Sequence, residues 1–290
     1  MPFRDMREFL DVLDGKGLLK RVRARVTTEL EVAEILDRLV RNGGPAVVFE
    51  DVKGYGMPVV GNLYGTRERV AMGLGCGEEE FKKLGEFIAY LQRPKPPEGL
   101  WDAIKKIPFF GSILNLGPKT VNHGPCQEVI LTDDADLSML PIIKCWPKDA
   151  SPLITWPLII TQAPDGGPSN VGVYRMQPLD GKRAIVRWLK TRGGARHFRL
   201  WEEARKPMPV AVAIGCEPAT TIAGVTPVPE DVGEFHFAGV LRKKAVELVE
   251  CKTVPLKVPA TAEIVLEGEI RGGEMEMEGP FADHTGYYNS

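Results

Sequence analysis

The chain has 290 residues, 43% of them hydrophobic and 26% charged, with a formal net charge of −2. That length is a soft prior for about two domains, and the composition is that of a globular protein rather than a disordered one. The near-neutral charge excludes a general electrostatic grip on nucleic acid, which takes a strongly basic surface. No apolar run reaches the roughly 18 residues of a membrane span. The opening Met1-Pro2-Phe3-Arg4-Asp5-Met6-Arg7-Glu8 is charged from the start, unlike a signal peptide. Five cysteines (Cys76, Cys126, Cys145, Cys216, Cys251) form no CxxC pair. They suit a cytoplasmic protein with free thiols better than a disulfide framework or a zinc site. The 31 glycines and 24 prolines imply many turns and a mixed or β-rich fold.

In chain order, residues 5–14 read as a short helix with Leu10, Val12 and Leu13 apolar. Thr28-Glu29-Leu30-Glu31 has the form of a capping box, and the helix after it carries Ile35, Leu36 and Leu39 on one face. Residues 45–52 read as a buried strand. This alternation predicts a small N-terminal α/β domain over residues 1–110. Residues 66–91 look helical with a turn at 73–77, and Arg93-Pro94-Lys95-Pro96-Pro97 ends them. Residues 94–107 read as a linker or peripheral excursion.

A second domain over 111–290 has a different texture. Short β-rich runs are predicted over 126–131, 158–162, 171–177, 184–189, 209–214, 246–251 and 262–270. In the last, Ile264, Leu266 and Ile270 alternate with Glu263, Val265, Glu267 and Glu269. Helices are predicted near 197–205 and 230–243. The fold class is therefore α+β, with a β-barrel or sandwich interrupted by helices.

Several residues stand out chemically. Glu234 shares a helical face with Phe237, Ala238 and Leu241. A carboxylate there is costly unless it is paired, metal-bound or able to reach water at the face's edge. His197 heads a similar face with Leu200, Trp201 and Ala204, where a satisfied core histidine is the plain alternative. Asn170 follows the turn Asp165-Gly166-Gly167-Pro168, where it could equally cap the turn. Asn, His and Glu together form an oxygen-rich set that suits Mn²⁺ or Mg²⁺ better than zinc.

Arg175 lies in the run Val171-Gly172-Val173-Tyr174-Arg175-Met176. Its planar fork suits a carboxylate, unless it only lines an exposed strand face. Asn170 and Arg175 differ in parity, so a regular strand sends them to opposite faces. If both serve one site, they touch different parts of a ligand or Gly172 marks a bulge. Arg192-Gly193-Gly194-Ala195-Arg196 joins strand to helix and could hold a phosphate on backbone N–H groups. Gly73-Leu74-Gly75-Cys76-Gly77 follows helical pattern and fails the dinucleotide-binding context. Glu278 and Asp283 sit five residues apart across Gly279-Pro280, and two coupled carboxyl groups can divide acid and base roles. An acidic surface loop is the alternative.

At these residues the sequence resembles the UbiD family of prenylated-flavin-dependent decarboxylases. The resemblance rests on Asn170 through Arg175, on Arg187-Trp188-Leu189 with Arg192-Gly193-Gly194-Ala195, on the helix around Glu234, and on Glu278 through Tyr288. It implies an N-terminal α/β domain, a flavin-binding split β-barrel and a further C-terminal domain. This chain stops at Ser290, so the barrel is expected to be incomplete and to expose apolar surface where later strands would pair.

The resemblance further implies reversible, non-oxidative decarboxylation of an aromatic, hydroxybenzoate-type or an α,β-unsaturated acid, as in ubiquinone biosynthesis or aromatic acid metabolism. Implied cofactors are prenylated FMN, Mn²⁺ and a nearby K⁺. Implied partners are a flavin prenyltransferase as cofactor supplier and, at full length, further copies of the chain. Asn170 and Glu234 match metal ligands, and His197 matches a histidine ligand found in part of the family. Val173, Tyr174, Arg175, Arg187, Trp188, Leu189, Arg192 and Gly193 match cofactor contacts. Arg175, Glu278 and Asp283 match the catalytic set. In this reading Arg175 orients the substrate carboxylate, Glu278 stays ionised beside it, and Asp283, its pKa raised by burial or by Glu278, returns a proton to carbon. The rival expectation is an inactive fragment or a non-catalytic flavin-binding module.

Overall fold

The computed structural model describes residues 3–92, 116–228 and 233–289. The expected 94–107 linker and the boundary at 110/111 lie outside the described residues.

The N-terminal unit is a three-stranded sheet between two helices. Helix α1 (Met6–Gly15) starts at Asp5, whose carboxylate accepts the Glu8 N–H at 2.8 Å, the usual role of an N-cap aspartate. Strand β1 (Leu19–Val22) pairs in parallel with β2 (Ala46–Phe49), and β2 pairs antiparallel with β3 (Val59–Gly61). All four β2 residues are buried because both faces are covered. Ala46 and Val48 pack with Phe9 and Leu13 of α1. Val47 and Phe49 pack with Val32, Ile35, Leu36 and Leu39 of α2 (Glu31–Arg41). The expected capping box does not form. Helix α2 begins only at Glu31, Leu30 takes φ 65°, and the Glu31 carboxylate reaches back to the Thr27 N–H instead. Helices α3 (Arg67–Gly73) and α4 (Glu78–Gln92) flank the expected 73–77 turn.

The second unit is built on a four-stranded antiparallel sheet, order β12-β9-β5-β6. Its members are β5 (Leu158–Ala163), β6 (Gly166–Val173), β9 (Met208–Ile214) and β12 (Ile264–Ile270). The central strands are apolar on both faces, and both faces are covered. Leu158, Ile160, Ala211 and Ala213 pack on helices α6 (Pro218–Ala223) and α7 (Glu234–Arg242) and on β10 (Glu247–Glu250) and β11 (Lys257–Pro259). Ile159, Met208, Val210 and Val212 pack on helix α5 (Gly193–Glu203) and on the hairpin of β7 (Met176–Pro178) and β8 (Ala184–Val186). In β12 Leu266 and Ile270 join this second cluster while Val265 joins the first, as the alternation predicts.

Strand β4 (Lys119–Thr120) extends the small β11-β10 sheet. A two-residue hairpin of β13 (Phe281–Ala282) and β14 (Tyr288–Asn289) ends the described chain. Among the described residues the main sheet stays open, with β6 and β12 at its edges, so no closed barrel forms.

Three sequence expectations change here. Residues 126–131 are not a strand. Pro125–Gln127 is a 3₁₀ turn, and Val129, Ile130 and Leu131 are exposed. The 171–177 run breaks after Val173, and Met176 opens a different sheet. Helix α5 starts at Gly193, four residues before the expected 197, while Glu234 opens α7.

Candidate active site

Asn170 lies on β6 directly across from Thr161 of β5, beside the register shift between Thr161 and Ala163. Thr161 is fully buried, and its hydroxyl lies 2.9 Å from His197 Nδ1 on α5. The next residue of β6, Val171, donates its N–H to Glu234 Oε2 at 2.9 Å. The paired strands β5 and β6 thus reach two helices at neighbouring positions, His197 of α5 through the Thr161 hydroxyl and Glu234 of the α7 start through the Val171 N–H. Glu234 is half-buried and turns its Oε2 to the Val171 N–H. Desolvation by burial pushes its pKa above the ordinary carboxylate value, only partly offset by the Val171 N–H.

The Asn170 carboxamide lies against Gly193, where a Cβ would collide with its oxygen. A side chain there would push the carboxamide out of its present place. The N-cap residue Arg192 places no side-chain acceptor on the first turn of α5, so the N–H groups of that turn, which begins at Gly193 beside Asn170, have no side-chain cap. Asn170 Nδ2 is buried without a hydrogen-bond partner. Such a donor costs about 1–3 kcal/mol unless an acceptor arrives. A partnerless amide, a helix N-terminus and a desolvated carboxylate make a donor set that fits a phosphate and a hard divalent cation. Among the described residues no group of three or more His, Cys, Asp and Glu side chains is placed to hold a metal. The set therefore depends on the Asn170 carboxamide.

The parity problem is resolved by the strand break. Gly172 is no bulge; it pairs in register with Ile159, and it carries no Cβ because the Tyr174 ring lies over it. Tyr174 stands 5.3 Å from Trp188 between ring centroids, and Trp188 in turn covers Gly194. An aromatic pair therefore links the end of β6 to the start of α5. Val173, Tyr174, Arg187 and Trp188 are half-buried along this line, whereas Leu189 and Arg192 are exposed.

Arg175, released from the strand, turns to Glu278. Its Nε and Nη2 donate to Oε1 and Oε2 at 2.6 and 2.7 Å, and Arg187 Nη1 reaches the same Oε2 at 3.2 Å. Glu278 is 7% exposed. The Arg175 guanidinium also lies 5.3 Å above the Phe281 ring. Asp283 sits apart, in the turn between β13 and β14. Its Oδ1 accepts the Thr285 hydroxyl, at 2.5 Å, and the Thr285 N–H, at 2.8 Å. These bonds, the hydroxyl's first, hold its pKa below the ordinary value. The expected raised pKa of Asp283 is thus reversed in direction, because a turn, not burial, sets it.

Four contributors were not foreseen. Thr161 could have been suspected as the polar end of Leu158-Ile159-Ile160-Thr161. Gln177, two residues from Arg175, accepts the Gly279 N–H at 2.9 Å. Buried Asp149 accepts the N–H of Ala282 at 3.0 Å and of Trp146 at 2.9 Å. Asn289 Oδ1 accepts from Arg187 at 2.6 Å and from Arg175 at 3.2 Å. Nothing local in the sequence marks the last two.

Comparison with known proteins identifies the family. The 3-octaprenyl-4-hydroxybenzoate carboxy-lyase N-terminal domain matches residues 10–88, and the Rift-related domain of the same enzymes matches residues 119–290. The chain belongs to the UbiD family. It is similar to an evolved dimeric form of the UbiD-class enzyme HmfF from Pelotomaculum thermopropionicum in complex with prFMN, at 34% identity and a TM-score of 0.85, covering 99% of this chain and 62% of that one. It is also similar to the vanillic acid decarboxylase of Sedimentibacter hydroxybenzoicus, at 29% identity and a TM-score of 0.85, covering 100% of this chain and 60% of that one. The 3,4-dihydroxybenzoic acid decarboxylase of Enterobacter cloacae matches at 25% identity and a TM-score of 0.77, covering 94% and 55%. The chain thus spans about 60% of the length of the first of these structures. No helix among the described residues is long and apolar enough to cross a membrane.

Proposed function

We propose that this chain carries the cofactor and carboxylate sites of a carboxy-lyase that reversibly decarboxylates an aromatic, hydroxybenzoate-type acid or an α,β-unsaturated acid. Prenylated FMN, when bound, would supply the electron sink for the carbanion left when CO₂ departs. Asn170, His197 and Glu234 would hold a Mn²⁺ beside the cofactor phosphate, with K⁺ as a second ion. The start of α5 and Asn170 Nδ2 would take phosphate oxygens. Val173, Tyr174, Arg187, Trp188, Leu189, Arg192 and Gly193 would line the flavin.

The observation that carries the reading is the buried Glu278 carboxylate shared by Arg175 and Arg187. Glu278 fixes the Arg175 fork, and Arg175 orients the substrate carboxylate. Asp283 handles the proton that replaces CO₂. The Thr285 bonds favour its ionised form, so that step requires exchange of those bonds for the carboxyl group to carry the proton. The physiological partners of this reading are a flavin prenyltransferase and further copies of the chain.

The test is co-expression with a flavin prenyltransferase, followed by visible spectroscopy and by solvent-deuterium incorporation into product from 4-hydroxybenzoate-type and cinnamate-type acids. Bound cofactor and CO₂ release are expected. The length covered relative to the matched structures motivates the second reading, a flavin-binding module. Cofactor binding without turnover would favour it, and no cofactor binding would refute both.

A further inference from the structure

The carboxylate site holds more positive than negative charge. Among the described residues Glu278 is the one carboxylate on these two guanidiniums, so two charges less one leaves a net +1 there. The second acceptor that serves both arginines is neutral: Asn289 Oδ1 takes Arg187 Nη1 at 2.6 Å and Arg175 Nη2 at 3.2 Å. A half-buried excess charge is costly and draws an anion. A carboxamide oxygen accepts N–H groups as a carboxylate oxygen does, but without the charge.

We propose that the Asn289 side chain is a self-ligand. Its Oδ1 occupies the seat of one oxygen of the substrate carboxylate, and Arg175 and Arg187 form that seat together. The proposal rests on the reading of Arg175 as the carboxylate-binding arginine, and it makes Arg187 a substrate contact as well. Exchange is easy. Strand β14 is two residues long and exposed, and it pairs with β13 only through Phe281↔Asn289 and Ala282↔Tyr288. The Asn289 side chain has only to rotate into water. An incoming carboxylate replaces a neutral acceptor with a charged one, so its bonds to the arginines are stronger. A neutral amide gains nothing over Asn289, so the seat selects carboxylates over carboxamides.

The test is calorimetric titration of the 290-residue chain with benzoate and benzamide. Wild type should bind benzoate in preference to benzamide. Asn289→Ala, which clears the seat, should tighten benzoate by roughly fivefold or more, and Asn289→Asp, which fills it with a permanent carboxylate, should weaken it by roughly tenfold or more. Both substitutions are at an exposed position, and circular dichroism reports the fold. If neither variant shifts affinity while Arg175→Gln abolishes binding, the self-ligand is refuted and the role of Arg175 stands. If Arg175→Gln binds benzoate like wild type, that role falls and the self-ligand with it. Unchanged affinity in Arg187→Gln would refute the shared seat, and no benzoate binding by any form would overturn both proposals.

Discussion

Replacing Glu278 by glutamine should destabilise the chain by about 3 kcal/mol, an amount that follows from its contacts. The carboxylate receives two short bonds from Arg175 and a longer one from Arg187. Glutamine can keep the oxygen that serves both arginines, so one of the three bonds is lost outright and the other two lose their charged acceptor. Hydrogen bonds to charged groups contribute about 1.5–3 kcal/mol each. The Arg175 and Arg187 side chains are 23% and 35% exposed, so the lower figure applies. The lost bond gives about 1.5 kcal/mol, and halving the two that remain adds about as much, so the total is about 3 kcal/mol, the low end for breaking a buried pair. At about 2–4 °C per kcal/mol, Tm should fall by about 6–12 °C. Thermal unfolding followed by circular dichroism measures this, and a double-mutant cycle with Arg175→Gln isolates the pair, with an expected coupling of about 2 kcal/mol. A coupling below about 0.5 kcal/mol, the scale of an exposed surface pair, would refute the view of Glu278 as a desolvated anchor.

Gly193→Ala puts a methyl group onto the Asn170 oxygen; Mn²⁺ affinity measured by electron paramagnetic resonance should drop roughly 10–100-fold, the range for a displaced ligand support. Thr285→Val removes the hydroxyl bond that chiefly lowers the Asp283 pKa, so carbon-detected NMR titration should show that pKa rising toward the ordinary value. Because a depressed folded pKa stabilises above the unfolded pKa and is lost as pH falls through the folded value, the variant should also lose part of the wild type's acid-dependent stability change. Gln177→Leu leaves the Gly279 N–H without its acceptor and should cost about 1–3 kcal/mol in thermal unfolding, with faster amide exchange at Gly279.

The N-terminal unit was largely legible because its periodicities agree with its packing. The stripe Ile35, Leu36, Leu39 and the apolar run at 46–49 each have one solution, helix against buried strand. The same clarity holds for β5, β9 and β12. Periodicity misled where apolar residues stay exposed. Val129, Ile130 and Leu131 look like strand, yet no strand pairs with them among the described residues. It also misled at α2, where Glu31 caps Thr27 across a residue of positive φ and so delays the helix. Such choices depend on long-range contacts, here the Leu30 N–H to the Lys144 carbonyl and its neighbours, which no local window contains.

The site was legible as residue types and not as geometry, for a physical reason. Nearly every proposed functional side chain stands where a regular element stops. Arg175 lies in the gap between β6 and β7, Arg187 just past β8, Gly193 and Glu234 at the first turns of α5 and α7, and Glu278 at the turn into β13. Inside a strand, parity would have sent Asn170 and Arg175 to opposite faces. The break after Val173 removes that rule and lets one short segment serve two places, the proposed cation set through Asn170 and the arginine pair through Arg175. The break is in turn held from outside the segment. Met176 exchanges backbone bonds with Ile154, and Gln177 grips Gly279 next to the glutamate that Arg175 holds. Residues 175 and 177 point the same way and grip 278 and 279 as a pair. Moving Arg175 by one position would therefore lose Glu278 and Gly279 together, and that coupling fixes the arginine more tightly than either contact alone.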